Sequence, residues 1–141
     1  MWSTLLDPGD LRRGRAVDDA AGSFLTWRRE VLPGDGAAVE AIIRSTGFFS
    51  SQETSVAVEL VEERLARGEE SGYLFLFAQA GGEAAGYACF GPVPATRCSY
   101  DLYWIAVRGE LRGRGIGGKL LAETEKLVRE QGGCRLYADT S

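Results

Sequence analysis

The chain has 141 residues, of which 45% are hydrophobic and 26% charged, with a net charge of −4 and no histidine. That length and composition suit one globular domain around a single core. The acidic balance argues against a nucleic-acid-binding surface, and the lack of imidazole removes Ser-His-Asp and Cys-His catalysis, histidine-held zinc and any histidine base.

Residues 1–23 read as an N-terminal extension, with Pro8-Gly9, an Arg12-Arg13-Gly14-Arg15 cluster of solvated charge and Ala20-Ala21-Gly22. A single domain is expected over 24–141. Its first strand is predicted at 24–31, with Phe24, Leu25, Trp27 and Val31 as apolar members. Pro33-Gly34-Asp35-Gly36 breaks it and opens a short helix whose Val39, Ile42 and Ile43 share a face, ending near Gly47. Phe48-Phe49 follow in a loop, as core plugs or as a cleft wall. Ser50 and Glu53 have capping-box spacing, and the helix they open carries Val56, Leu60, Val61 and Leu65 on one face before ending at Gly68.

Residues 73–80 are apolar without alternation until Gln79, so this strand is expected to be buried on both faces. Gly81-Gly82 is a two-residue hairpin turn. The return strand covers 83–90, with Gly86 inside it at an expected bulge. After Gly91-Pro92-Val93-Pro94 the next strand runs over 97–107. A glycine-rich turn, Arg112-Gly113-Arg114-Gly115-Ile116-Gly117-Gly118-Lys119, then opens a helix with Ile116, Leu120, Thr124, Leu127 and Val128 on one face. Gly132-Gly133 ends it, and a last strand at 134–138 pairs in parallel with 97–107 through a right-handed crossover. The result is a mixed α/β sheet containing an antiparallel meander, with helices on both faces.

The glycine turn carries the chemistry. First-turn N–H groups lack intrahelical acceptors, the helix dipole favours an anion, and glycine lets a phosphate approach the backbone. Arg112, Arg114 and Lys119 add positive charge there. Gly113-x-Gly115-x-x-Gly118 also matches a dinucleotide-binding pattern, with Asp139 ending the next strand where a ribose-binding acid would stand. A dinucleotide fold, however, begins with such a unit, and about a hundred residues precede this one. Gly113-x-x-x-x-Gly118-Lys119 is nearly a P-loop, but Leu120 replaces the hydroxyl residue that would hold magnesium.

Three cysteines (Cys89, Cys98 and Cys134) lie far apart and form no C-x-x-C, so a metal site or a disulfide framework finds little support. Each reads as a small buried hydrophobe. Whether Cys89 and Cys98 face each other across adjacent strands stays open. No apolar run reaches membrane-spanning length and no signal-peptide pattern opens the chain, so no membrane association is expected and the cytoplasm is the expected compartment.

Arg112-x-x-Gly115-x-Gly117, a short loop after Ile105-Ala106-Val107, resembles the acetyl-CoA-binding signature (Q/R)-x-x-G-x-(G/A) of the GNAT family of N-acetyltransferases. The element order from Trp27 to Ser141 is similar to that family's. The resemblance implies an acyltransferase that moves an acetyl group from acetyl-CoA to a primary amine, on a small molecule or a protein, without a metal. It implies that the pyrophosphate of coenzyme A sits on the backbone N–H groups of Gly113, Arg114, Gly115, Ile116, Gly117 and Gly118. Arg112 would shape the loop. Ile105, Ala106 and Val107 would offer their backbone to the pantetheine arm, and one N–H there would stabilise the oxyanion. That strand and 134–138 would splay apart to admit the arm. Asp101 matches a position where several members carry a glutamate base; the shorter side chain suggests a bridging water. Its alternative is a carboxylate paired with an arginine, or simple exposure at the strand's start. In strand alternation Asp101, Tyr103, Ile105 and Val107 share one side.

Family members continue past this last strand with a helix, which often carries a tyrosine acid, and with two further strands. The chain is therefore expected to be C-terminally truncated, with an open edge at 134–138 covered by a second copy in a homodimer. Two other functions remain: a non-catalytic acyl-CoA-binding remnant of this fold, or a nucleotide-binding module using the same glycines.

Overall fold

The computed structural model describes residues 25–138. The extension expected over 1–23 and the acid considered at Asp139 lie outside the described residues. One five-stranded sheet has the order β1 (Thr26–Arg28), β2 (Leu74–Ala80), β3 (Glu83–Pro92), β4 (Ser99–Val107), β5 (Arg135–Ala138). The first three pairings are antiparallel, and β4–β5 is parallel. Helices α1 (Asp35–Thr46) and α2 (Ser51–Arg67) cover one face, and α3 (Ile116–Glu130) covers the other.

The helices follow their local signals. α1 ends on Gly47, whose φ of 73° is the left-handed conformation that glycine adopts without strain. At α2 both halves of the capping box form: Ser50 Oγ accepts from the Glu53 N–H at 3.1 Å, and Glu53 Oε1 accepts from the Ser50 N–H at 3.0 Å. Val39, Ile42, Ile43 and Val61 are fully buried against Phe77, Tyr87 and Trp104. Each such aliphatic side chain contributes about 1.5–3 kcal/mol by leaving water.

β1 is shorter than the 24–31 expected. Asp35 gathers the chain after Arg28 and turns it away from the sheet. Arg28 donates to both Asp35 oxygens, at 2.7 and 2.8 Å, and the Leu32 N–H donates to the same carboxylate at 2.7 Å. The Arg28 guanidinium also lies 4.5 Å from the centre of the Phe77 ring. The hairpin slips register between Ala78 and Gln79, opposite Gly86 and Ala84, next to the expected position. Gly86 itself is demanded from the other side, because a Cβ there would stand 2.8 Å from the Ala106 carbonyl oxygen.

Two expectations are overturned by long-range geometry. Cys98 and Cys134 are joined in a disulfide with Cα atoms 5.2 Å apart, while Cys89 is the buried free thiol. The parallel crossover sets the beginnings of β4 and β5 side by side, and a sequence separation of 36 hides that proximity. Cys89 faces Phe75 and Trp104, not Cys98. The second correction concerns β4. Cys89 pairs with Trp104 but Phe90 pairs with Leu102, which leaves Tyr103 as the extra residue of a bulge. The alternation breaks there: Leu102 and Ile105 join the α3-side core, whereas Tyr103, Trp104 and Ala106 lie with the α1/α2-side core.

Burial also isolates two polar groups. The Tyr87 hydroxyl finds no hydrogen-bond partner among the described residues, and burial pushes its phenol pKa well up. Burial does the same to the Cys89 thiol.

Candidate active site

The glycine turn is held in place by α1. A short 3-10 turn, Gly109–Leu111, follows β4. The Gly109 N–H donates to Ser45 Oγ at 3.0 Å, and a Cβ on Gly109 would clash with the Ser45 carbonyl oxygen. Arg112 then reaches back: its guanidinium donates to the Thr46 carbonyl at 3.3 Å and stacks on Phe48, 4.6 Å from the ring centre. Of the three cations expected to supply charge at the turn, Arg112 is thus occupied in tying the turn to the end of α1. Arg114 is exposed and Lys119 half-buried.

Gly113 and Gly115 have φ of 83° and 78°, so the chain enters α3 through two left-handed residues. Gly115 is the N-cap and provides no side chain to cap the helix. The Lys119 N–H makes the bond back to the Gly115 carbonyl at 3.2 Å. The N–H groups of Ile116, Gly117 and Gly118 precede that bond and belong to the first turn, where no acceptor exists within the helix. Their dipoles sum to a positive end that suits a phosphate or diphosphate.

Beside this helix start, β4 runs with one edge open. Its ladder to β5 covers only Ser99↔Arg135 through Leu102↔Ala138. From Tyr103 to Val107, β4 has β3 on one side and no strand of the described residues on the other. The Arg108 N–H donates to the Ala85 carbonyl at 2.8 Å, which sets the phase of the antiparallel ladder. Ala106 therefore exchanges bonds with Tyr87, and Ile105 and Val107 turn their N–H and C=O groups to the open edge.

Asp101 sits half-buried in the paired part of β4, opposite Gly91 on β3 and Tyr137 on β5. No arginine or lysine forms an ion pair with it among the described residues. Tyr103 lies near it: burial, and then the negative charge of Asp101, push the Tyr103 phenol pKa up. Tyr103 packs edge-on against Tyr73, ring centres 5.6 Å apart, and Phe49 packs edge-on against Trp104 at 5.0 Å. Asp101 thus has the half-buried Tyr103 and Tyr73 pair for company on the α1/α2 side, with Phe49 on the buried Trp104 in the same core. Tyr73 and Tyr103 carry no motif; alternation alone keeps Tyr103 on the side of Asp101, but the bulge that brings Trp104 to that side and takes Ile105 from it has no signature in the run Tyr100-Asp101-Leu102-Tyr103-Trp104.

An antiparallel meander feeds a parallel strand pair. The glycine turn stands off β4 by a 3-10 turn, not directly after the strand as a dinucleotide fold or a P-loop would place it. This architecture and the acetyl-CoA signature define one class, and the chain belongs to the GNAT acetyltransferase family, whose sequence model matches residues 37–141. A GNAT-family protein from Desulfovibrio desulfuricans is 49% identical, over 81% of this chain and 72% of its own, with a TM-score of 0.79. A GNAT-family acetyltransferase from Brucella melitensis, solved in complex with acetyl-CoA, is 28% identical over 82% of this chain and 76% of its own, with a TM-score of 0.64. An N-acetyltransferase from Thermoplasma acidophilum, solved with coenzyme A, shares the fold at 21% identity over 79% of each chain, with a TM-score of 0.59. No curated protein matches the chain. Among the described residues no helix is long and apolar enough to cross a membrane, and no cluster of three metal-ligating side chains forms.

Proposed function

We propose that the chain is an acetyl-CoA-dependent N-acetyltransferase acting on a primary amine of a small molecule or a protein. The observation that carries this is the juxtaposition of a glycine-built helix start with the edge of β4 at Ile105 and Val107, which no strand of the described residues covers. Acetyl-CoA, when bound, supplies the activated acetyl group. The backbone from Gly113 to Gly118 holds its diphosphate, with Arg112 fixing the turn from behind. Ile105, Ala106 and Val107 present backbone groups to the pantetheine arm as an added strand would. An N–H at this edge donates to the oxyanion as the acetyl carbon becomes tetrahedral. Asp101 takes the proton of the acceptor ammonium, directly or through one water.

Calorimetry with acetyl-CoA, CoA, NAD and ATP tests the cofactor assignment. Heat with the first two alone is expected, and heat only with NAD or ATP overturns it in favour of a nucleotide-binding module. Release of CoA thiol with a panel of amines separates an enzyme from a non-catalytic acyl-CoA-binding protein. Asp101→Asn should lower kcat by about 100-fold or more while leaving acetyl-CoA affinity unchanged. An unaltered kcat would remove Asp101 from the chemistry.

The same reading assigns 24–141 to the acetyltransferase domain, with 1–23 as its extension, and places the protein in the cytoplasm because its co-substrate is an intracellular metabolite. A homodimer across β5 is supported by that strand's position at the sheet edge and by Tyr137, which is 50% exposed. A monomer at every concentration in sedimentation would count against it.

A further inference from the structure

Cys98 directly precedes β4, and Cys134 directly precedes β5. Besides the disulfide, the Cys134 and Arg135 N–H groups both donate to the Cys98 carbonyl, at 2.9 and 3.4 Å. β5 has four residues, of which Arg135, Tyr137 and Ala138 are exposed and Leu136 is half-buried. Burial therefore does little to hold this strand; a short ladder to β4 and the disulfide at its base do most of it. The two strands run together only as far as Leu102 and Ala138, and the open edge of β4 begins at the next residue. The disulfide pins the closed end of that divergence.

We propose that Cys98 and Cys134 form a thiol–disulfide exchange site for low-molecular-weight thiols, whose state sets how firmly β5 is held and thereby the affinity for acetyl-CoA. The second half rests on the cofactor reading above. Cys134 is the exposed residue of the pair and Cys98 is half-buried, so Cys134 Sγ is assigned as the attacked atom. The thiolate of a small thiol such as glutathione attacks Cys134 Sγ. The protein S–S bond breaks, and Cys98 leaves as a thiolate that takes a proton from water. A second small thiol then displaces Cys134 from the mixed disulfide. The products are two protein thiols and one small-molecule disulfide, so two electrons pass to the protein, and glutathione disulfide reverses the sequence. Cys89 is sealed in the core at 0% exposure and takes no part.

The test uses the full chain, without substitutions, equilibrated in glutathione buffers from oxidising to reducing. Alkylation and peptide mapping report the thiols, hydrogen exchange reports the amides of 134–138, and calorimetry reports acetyl-CoA affinity. Cys98 and Cys134 should become alkylated together, with Cys89 unmodified until the protein unfolds. Exchange in β5 should rise about 10-fold or more on reduction, and affinity should fall several-fold. Cys98→Ser and Cys134→Ser should each show the reduced behaviour in both buffers. No Cys98–Cys134 peptide at the oxidising end overturns the proposal. So does equal β5 exchange in the two states, or equal affinity where acetyl-CoA binds. If acetyl-CoA binds in neither state, the cofactor reading fails, and β5 exchange alone decides the redox site.

Discussion

α2 and α3 begin in opposite ways. Every helix start presents N–H groups with no acceptor inside the helix. At α2 the chain supplies its own acceptors, Ser50 Oγ and the Glu53 carboxylate, and the acid also meets the positive end of the dipole. At α3 the N-cap is Gly115, which has no side chain to turn inward, and among the described residues no side-chain cap forms and the first turn holds no acidic residue. The two following Gly117 and Gly118 weaken the helix further, since glycine costs roughly 1 kcal/mol against alanine in a helix. A local rule obeyed at one helix start and broken at another, beside the edge of β4, is the contrast on which the proposed diphosphate site rests.

Closing the second helix start with a side chain of the chain's own should break the contrast most visibly. Gly118→Asp places a carboxylate in the first turn of α3, where it favours the helix but opposes a bound diphosphate. We expect a melting temperature a few degrees higher and acetyl-CoA affinity about 100-fold lower, equivalent to ~2.7 kcal/mol. Unchanged affinity in calorimetry would mean that the bare turn is not the anion site. Arg112→Ala should come next. It removes the tie to Thr46 and the stacking on Phe48, lowering stability by about 1–2 kcal/mol in denaturant melts and affinity about 10-fold as the turn loosens. A variant that is less stable yet binds normally would separate the loop's anchoring from its function.

Ser50→Ala treats α2 as the control. It should cost about 1 kcal/mol of stability and leave acetyl-CoA affinity untouched, because those N–H groups serve only the helix. Tyr87→Phe is the smallest change and guards against a false lesson. Its hydroxyl also finds no partner among the described residues, yet it lies in the core at 1% exposure, away from the helix start of α3. Removing it should raise stability by up to about 1 kcal/mol. The sign with pH follows from the raised phenol pKa. Folded Tyr87 cannot ionise where an unfolded tyrosine can, so the native protein loses stability relative to the variant as pH climbs through about 10. Parallel melting curves for the two proteins up to pH 11 would contradict this.

Much of the fold is legible in the sequence because its signals are local. Gly47 ends α1 and Gly68 ends α2, Ser50 and Glu53 cap α2, and Gly81-Gly82 turn the hairpin with φ of 61° and 85°. The glycine turn of the site is equally legible, since glycine spacing and the following helical periodicity lie within a few residues of each other. The register of β4 is different. A residue gained at Tyr103 depends on how Cys89 and Phe90 pair across the sheet, and strict alternation misassigns the face of Leu102. Likewise Arg112 reads as a free cation until α1 brings Thr46 beneath it from 66 residues away.

The sequence by itself determined the elements, their order and the glycine turn that opens α3, because hydrophobic period, caps and glycine conformations act over one or two turns of chain. Only the tertiary structure decided which groups meet: Tyr73 with Tyr103, Arg112 with Thr46, Cys98 with Cys134, and the edge of β4 with no strand of the described residues beside it after Leu102. Those meetings are set by ladder register and by the parallel crossover. Both are sums over contacts distant in sequence, and no single stretch of residues encodes them.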